Sequence, residues 1–292
     1  MTPAVEVRDL SHRYGDQTVL DGVSFAVRPG EIYALLGRNG AGKTTTIEIL
    51  TTLVRPSAGA ARVCGFDVAH ARTEVTRRIA LTGQSAAVDD VLTGRENLVM
   101  LARLRGLPSG EARRRAAELL ARFDLADAGG RRVGTYSGGM RRRLDLALSF
   151  VATPEVLFLD EPTTGLDTHS RRELWDVIRG MTGAGVTVFL TTQYLEEADQ
   201  LADRIAVLDR GRIAAEGTPA ELKSRIGGTT VELHDAAGEL LAEAATDGTT
   251  HGIRAALGRW ESEGLEGAVT LRRPTLDDVF LQLTARPEKE LA

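Results

Sequence analysis

Gly37-Arg38-Asn39-Gly40-Ala41-Gly42-Lys43-Thr44-Thr45 follows directly on the apolar run 32–36, and the two together decide the fold. The stretch satisfies G-x-x-x-x-G-K-[ST], a glycine-rich turn whose backbone N–H groups close around phosphate oxygens. It predicts a buried strand ending at Leu36 and a helix opening near Gly42, whose positive N-terminal end strengthens the anion site. In that frame Gly37, Asn39, Gly40, Ala41, Gly42 and Thr45 form the cradle for a nucleoside triphosphate. Lys43 reaches its β- and γ-phosphates, and the Thr44 hydroxyl is a ligand for Mg²⁺.

Outward from the loop, the pattern is one of alternating strands and helices. Residues 5–7, 23–27 and 32–36 read as strands, with turn signals at Tyr14-Gly15-Asp16 and Pro29-Gly30, which predicts an antiparallel β layer leading into the loop. Apolar runs return at 156–159, 186–190 and 205–208 between helical stretches, the βαβ signature of a parallel sheet. Residues 93–149 read almost wholly helical, with Ala and Leu on one stripe and Arg on the other, so a helical subdomain at about 93–150 is expected inside the α/β core. Beyond Gly227-Gly228 come strands at 229–234 and 268–272, a helix at 253–261 and a closing helix at 276–283. The expected division is a nucleotide-binding domain over 1–225 and a small α+β appendage over 226–292.

Composition narrows the function. The 292 residues carry 36 Lys and Arg against 41 Asp and Glu, a net charge of -5, which argues against a nucleic-acid partner. The arginine runs 113–115 and 141–143 read as solvated or intersubunit helix faces. No run of about eighteen apolar residues is present to span a membrane. The single Cys64, in the strand-like stretch 61–66, reads as a buried small hydrophobe suited to a reducing cytosol. His12, His70, His169, His234 and His251 lack metal-ligand spacing, so no structural metal is expected.

Two further motifs carry chemistry. In Val156-Leu157-Phe158-Leu159-Asp160-Glu161-Pro162 four apolar residues end in two acids. Asp160 stands at the carboxyl end of a buried strand, where open α/β sheets bind ligands, and can hold Mg²⁺. Glu161 can orient or deprotonate an attacking water. Tyr136-Ser137-Gly138-Gly139-Met140 opens a second helix with an N-capping serine and uncovered backbone N–H groups. Because the loop at Gly37 is already a complete cradle, this second anion site either binds another molecule or completes the site of another copy.

These motifs, in this order, make residues 5–225 resemble the nucleotide-binding subunits of ABC transporters. The resemblance implies a phosphate-loop ATPase fold with a mixed sheet core, an antiparallel β layer and an inserted helical subdomain. It implies that Ser137, Gly138 and Gly139 cap the ATP held by a partner's loop in a two-fold sandwich of two chains. It further implies that Tyr14 stacks on adenine, that Gln84 senses Mg²⁺ and a membrane partner, and that Gly165-Leu166-Asp167 couples the two sites. Met140 stands where the family commonly has glutamine. Thr191-Thr192-Gln193 stands where it usually has Thr-Thr-His; Gln193 can donate a neutral hydrogen bond to phosphate but has no titratable proton. That departure puts hydrolysis in question more than binding, and a nucleotide-gated regulatory protein with little turnover is the competing implication. Gln193 with the run 194–199 and the ending Arg273-Pro274-Thr275-Leu276-Asp277-Asp278-Val279-Phe280-Leu281 resembles the daunorubicin-resistance branch of drug-export ATPases. The expected partners are therefore a second copy and an integral membrane permease, at the cytoplasmic face of the membrane.

Overall fold

The computed structural model describes residues 2–83 and 88–284; it divides into two compact units, Met1–Glu216 and Gly217–Ala292. In the first, β1 (Val5–Tyr14) and β2 (Gln17–Val27) pair antiparallel across the expected turn at Gly15, and β1 pairs on its other side with β4 (Ala58–Val63), which continues to β5 (Phe66–Asp67). This is the antiparallel layer. β1 and β2 extend well beyond 5–7 and 23–27, because their outer halves alternate buried and exposed residues with a weaker apolar signal.

The second sheet runs β10-β9-β3-β8-β7-β6, from β10 (Arg212–Gly217), β9 (Arg204–Asp209), β3 (Ile32–Leu36), β8 (Thr187–Thr192) and β7 (Val156–Asp160) to β6 (Ile79–Thr82). Its four inner pairings, from β9 to β6, are parallel. All residues of β3, β7 and β8 are buried, as continuous apolar runs in a covered parallel sheet must be. Between the two sheets Phe25 stacks on Tyr33 at 5.3 Å and both rings lie 5.7 Å from Phe189. Arg210 and Gly211, both at positive φ (47° and 77°), form the two-residue turn into β10, the geometry that matches strand twist in a hairpin.

Three helices occupy most of 93–149. They are α3 (Gly94–Leu104), closed at its start by a Thr93–Glu96 capping box, α4 (Ser109–Arg122) and α5 (Gly138–Ser149). The stretch is less continuously helical than its pattern predicts. A turn at Gly106 (φ 93°) and an irregular segment with a 3₁₀ turn at Val133–Thr135 interrupt it. In that segment Phe123, Leu125, Ala128 and Val133 are buried, so apolar residues that look helical in sequence serve a packed loop.

The second unit holds β11 (Thr229–His234), β12 (Leu240–Thr246) and β13 (Ala268–Arg272) in the order β12-β11-β13, covered by α9 (Thr250–Ser262) with Val231, Leu233, Ala256 and Trp260 as its core. Strand β12 was not expected: Leu-Leu-Ala-Glu-Ala-Ala-Thr favours helix locally, and pairing with β11 overrides it. The unit begins at Gly217, ahead of the expected boundary at 225, because α8 (Pro219–Ser224) packs against the closing helix α10 (Leu276–Thr284). Cys64 is also corrected. It is a half-buried turn residue with φ 51° between β4 and β5, and burial beside Glu155 pushes its thiol up to about 12. No helix among the described residues is long and apolar enough to cross a membrane.

Candidate active site

The loop between β3 and α1 (Lys43–Leu50) closes over a pocket of 530 Å³ lined by Asn39, Gly40, Gly42, Lys43, Thr44 and Thr45. Two glycines make this possible. A Cβ on Gly37 would lie 2.6 Å from the Leu208 carbonyl oxygen, and one on Gly42, whose φ is 109°, would lie 2.6 Å from Leu20 Cδ2. Neither position admits a side chain. The Lys43 ammonium is buried and donates to the carbonyls of Gly37 (2.9 Å) and Arg38 (3.2 Å), which fold the loop around it. Ala41 packs into the core, and its N–H donates to the Arg38 carbonyl.

The carboxyl end of β7 meets this loop. Thr44 Oγ1 donates to Asp160 Oδ2 at 3.2 Å, and Thr191 on β8 donates to Asp160 Oδ1 at 2.6 Å. The Thr191 hydroxyl also accepts from the Glu161 N–H at 3.1 Å. Glu161 sits in left-handed backbone, φ 46°, a strained conformation for this residue type, and its carboxylate pairs with Lys43 at 3.1 Å. Gln193, just beyond β8, lines the same pocket. Asp160 and Thr44 offer two converging hard oxygens, the donor chemistry that Mg²⁺ requires. Among the described residues no separate cluster suited to a metal is present.

The remaining expected residues lie elsewhere. Tyr14 is half-exposed, donates to Glu48 at 3.2 Å and packs edge-on against His12; it does not line the pocket, whereas Gln17 and Val19, three and five residues on, do. Those two have no signal in the sequence, being ordinary strand residues that the β1–β2 turn carries over the start of α1. Ser137 caps α5 by accepting from the Met140 N–H at 3.2 Å. Gly138 lines a neighbouring pocket that shares Glu161 and Thr164 with the first, while a Cβ on Gly139 would sit 2.8 Å from Ser170 Oγ. Within one chain Ser137, Gly138 and Gly139 do not line the Lys43 pocket. Asp167, last of the Gly165-Leu166-Asp167 loop, caps the following helix by accepting from Ser170 N–H at 2.8 Å. Gln84 falls outside the described residues.

Behind the site lies a carboxyl that sequence reasoning missed. Glu197, on α7 (Leu195–Leu201), is fully buried and accepts from Trp175 Nε1 at 3.2 Å. Burial raises its pKa against the opposing effects of Thr192, Thr163, Trp175 and Arg171. A carboxyl raised on folding gives stability that is complete below its unfolded pKa and lost as pH rises through the folded one. Glu197→Gln, which removes the charge and keeps an acceptor for Trp175, should therefore raise the melting temperature at neutral and alkaline pH. The gain should vanish in acid. Melting temperatures of the two proteins across pH test it, and a gain independent of pH would rule out the ionisation account.

A triphosphate-sized pocket at the strand ends of a parallel sheet, with a lysine-bearing loop on one side and an Asp-Glu pair on the other, defines a phosphate-loop nucleotide-hydrolysing protein. The family described as ABC transporter matches residues 20–164. The chain is 49% identical to the daunorubicin/doxorubicin resistance ATP-binding protein of Streptomyces peucetius, over 98% of this chain and 94% of that one. It is likewise 49% identical to the doxorubicin resistance ATP-binding protein of Mycobacterium tuberculosis, over 99% of this chain and 96% of the relative. A solved structure described as the ATP binding subunit of an ABC transporter superposes with a TM-score of 0.69 at 28% identity, covering 97% of this chain and all of the other. The chain belongs to the ABC transporter ATP-binding proteins, and it is an ATPase.

Proposed function

We propose that this chain is the ATP-hydrolysing subunit of a bacterial exporter for drug-like or antibiotic molecules, working on a separate membrane permease at the cytoplasmic face. The observation that carries the reading is the convergence of Lys43, Thr44 and Glu161 on one pocket, with Asp160 bonded to Thr44, in a chain about half identical to drug-resistance ATP-binding proteins along nearly its whole length.

In this reading the triphosphate lies against the loop N–H groups, and Lys43 leaves Glu161 to contact the β- and γ-phosphates. Thr44, Asp160 and Gln84 would hold Mg²⁺, which supplies charge neutralisation on the phosphates when bound. Glu161, released from Lys43, takes the proton of the attacking water. Gln193 offers a neutral amide to the γ-phosphate, fixing geometry without adding charge. Tyr14 stacks on the adenine edge of the site. Ser137, Gly138 and Gly139 complete the site of a second copy, since within one chain they do not line the Lys43 pocket, and Gly165-Leu166-Asp167 lies between the two sites. The unit from Gly217 onward serves assembly.

The test is transport. Inside-out vesicles carrying this chain together with a candidate membrane permease should accumulate an anthracycline only with ATP and Mg²⁺, and not when Glu161→Gln replaces the parent. Uptake that ignores ATP, or none for any planar aromatic drug while ATP is hydrolysed, removes the export reading.

A further inference from the structure

We propose that Arg142 is a positioning residue for ATP hydrolysis, a buried clamp that ties the helix opening at Ser137 to the turn carrying Glu161 and to the end of the strand before Gln84. The run 141–143 reads in sequence as a solvated or intersubunit face, and its outer members fit that, with Arg141 paired to Asp90 at 3.1 Å and Arg143 to Asp124 at 2.9 Å. Arg142 does not. It is 8% exposed, and its guanidinium faces inward from α5.

Each contact holds a different element. Nε donates to the Pro162 carbonyl at 2.9 Å, and Nη1 donates to the Gly83 carbonyl at 2.8 Å and to Asp145 at 3.1 Å. Pro162 immediately follows Glu161, so fixing its carbonyl restrains the left-handed backbone (φ 46°) from which the Glu161 carboxylate projects. Gly83 directly follows β6 and precedes Gln84 in the chain. The same α5 begins at the Ser137 cap, one and a half turns from Arg142. One rigid fork therefore makes the start of α5, the Glu161 turn and the end of β6 move together.

Stability does not explain the arrangement. A buried ion pair can be replaced by well-packed apolar residues at little or no cost in stability, and here Nη2 has no partner among the described residues, a penalty that an apolar pair would avoid. What an apolar pair cannot do is hold two carbonyls in fixed relation. Displacing a catalytic group by about 1 Å costs about 100-fold in rate, which is the currency in which this clamp acts.

The inference rests on Glu161 as the base, and the test separates the two. The double variant Arg142→Met/Asp145→Leu removes the clamp together with the carboxylate it pairs with; Arg142→Lys keeps a cation beside Asp145 without the planar fork. For the double variant we expect a folded protein with a single cooperative melting transition, a parent-like affinity for a fluorescent ATP analogue, an unchanged KM, and a kcat lower by about 10- to 100-fold. Arg142→Lys should fall between the two, because an ammonium cannot span both carbonyls and Asp145 at once. A parent-like kcat in the double variant overturns the clamp, as does a kcat loss matched by an equal loss of affinity and melting temperature. Should the double variant not fold, Arg142→Lys is judged by the same criteria, and parent-like kcat again overturns the inference. Glu161→Gln, measured alongside, reports on the base alone: if it turns over normally the reading of Glu161 fails, whatever Arg142 does.

Discussion

Glu161→Gln is expected to lower ATP turnover by about 10²- to 10⁴-fold, the span ascribed to a positioned general base, while ATP binds at least as tightly as to the parent. The second half of that expectation comes from the resting geometry. Lys43 pairs with Glu161 at 3.1 Å in a pocket where both side chains are nearly buried, and Lys43 cannot serve the carboxylate and a γ-phosphate equally. Binding therefore breaks an ion pair and brings a polyanion toward a carboxylate. Glutamine removes both costs and keeps the side-chain volume. With hydrolysis blocked and both cradles intact, two chains should remain closed on ATP, so gel filtration with ATP and Mg²⁺ should show a slowly dissociating dimer. A variant that binds ATP more weakly than the parent would contradict the competition between Glu161 and phosphate, and one that binds ATP yet stays monomeric would count against the sandwich.

Much of this site is legible in the chain because its parts are local. Residues 37–45 carry their own geometry: the glycines are required by close backbone approach and Lys43 folds back onto carbonyls five and six residues away. Asp160 and Glu161 are legible for a similar reason, since four buried apolar residues point them at the carboxyl end of a strand. The features that escape are those made by distant segments. Thr191, which orients Asp160 and bonds the Glu161 N–H, lies 31 and 30 residues away in sequence. Val19 and Gln17 reach the pocket through a hairpin register. Arg142 hides within a charge run whose neighbours are surface residues, and the approach of Gly83 and Pro162, from 59 and 20 residues away, distinguishes it. Strand β12 escapes because its residues favour helix and only pairing decides otherwise.

Lys43→Ala is expected to abolish measurable turnover, a loss of about 10³-fold or more, at and beyond what one electrostatic donor to a transition state supplies, and to weaken ATP binding, in contrast to Glu161→Gln. The ammonium has two tasks, and alanine removes both. As a ligand group it gives charge-assisted hydrogen bonds to phosphate, each worth about 1.5–3 kcal/mol. As a strut it draws in the Gly37 and Arg38 carbonyls, which keeps the backbone N–H groups of the loop facing the pocket. Its loss also strips Glu161 of its counter-charge, leaving a carboxylate with 10% side-chain exposure to repel the incoming triphosphate. This last contribution can be isolated. Lys43→Ala combined with Glu161→Gln should recover part of the lost ATP affinity and none of the turnover, because the repulsion is gone while donor and base are both absent. Nucleotide titration and steady-state hydrolysis on the three variants decide it. If the double variant binds ATP no better than Lys43→Ala alone, Glu161 exerts no repulsion on the phosphates and the 3.1 Å pair is incidental to binding; if Lys43→Ala itself turns over ATP normally, the loop is not the catalytic cradle.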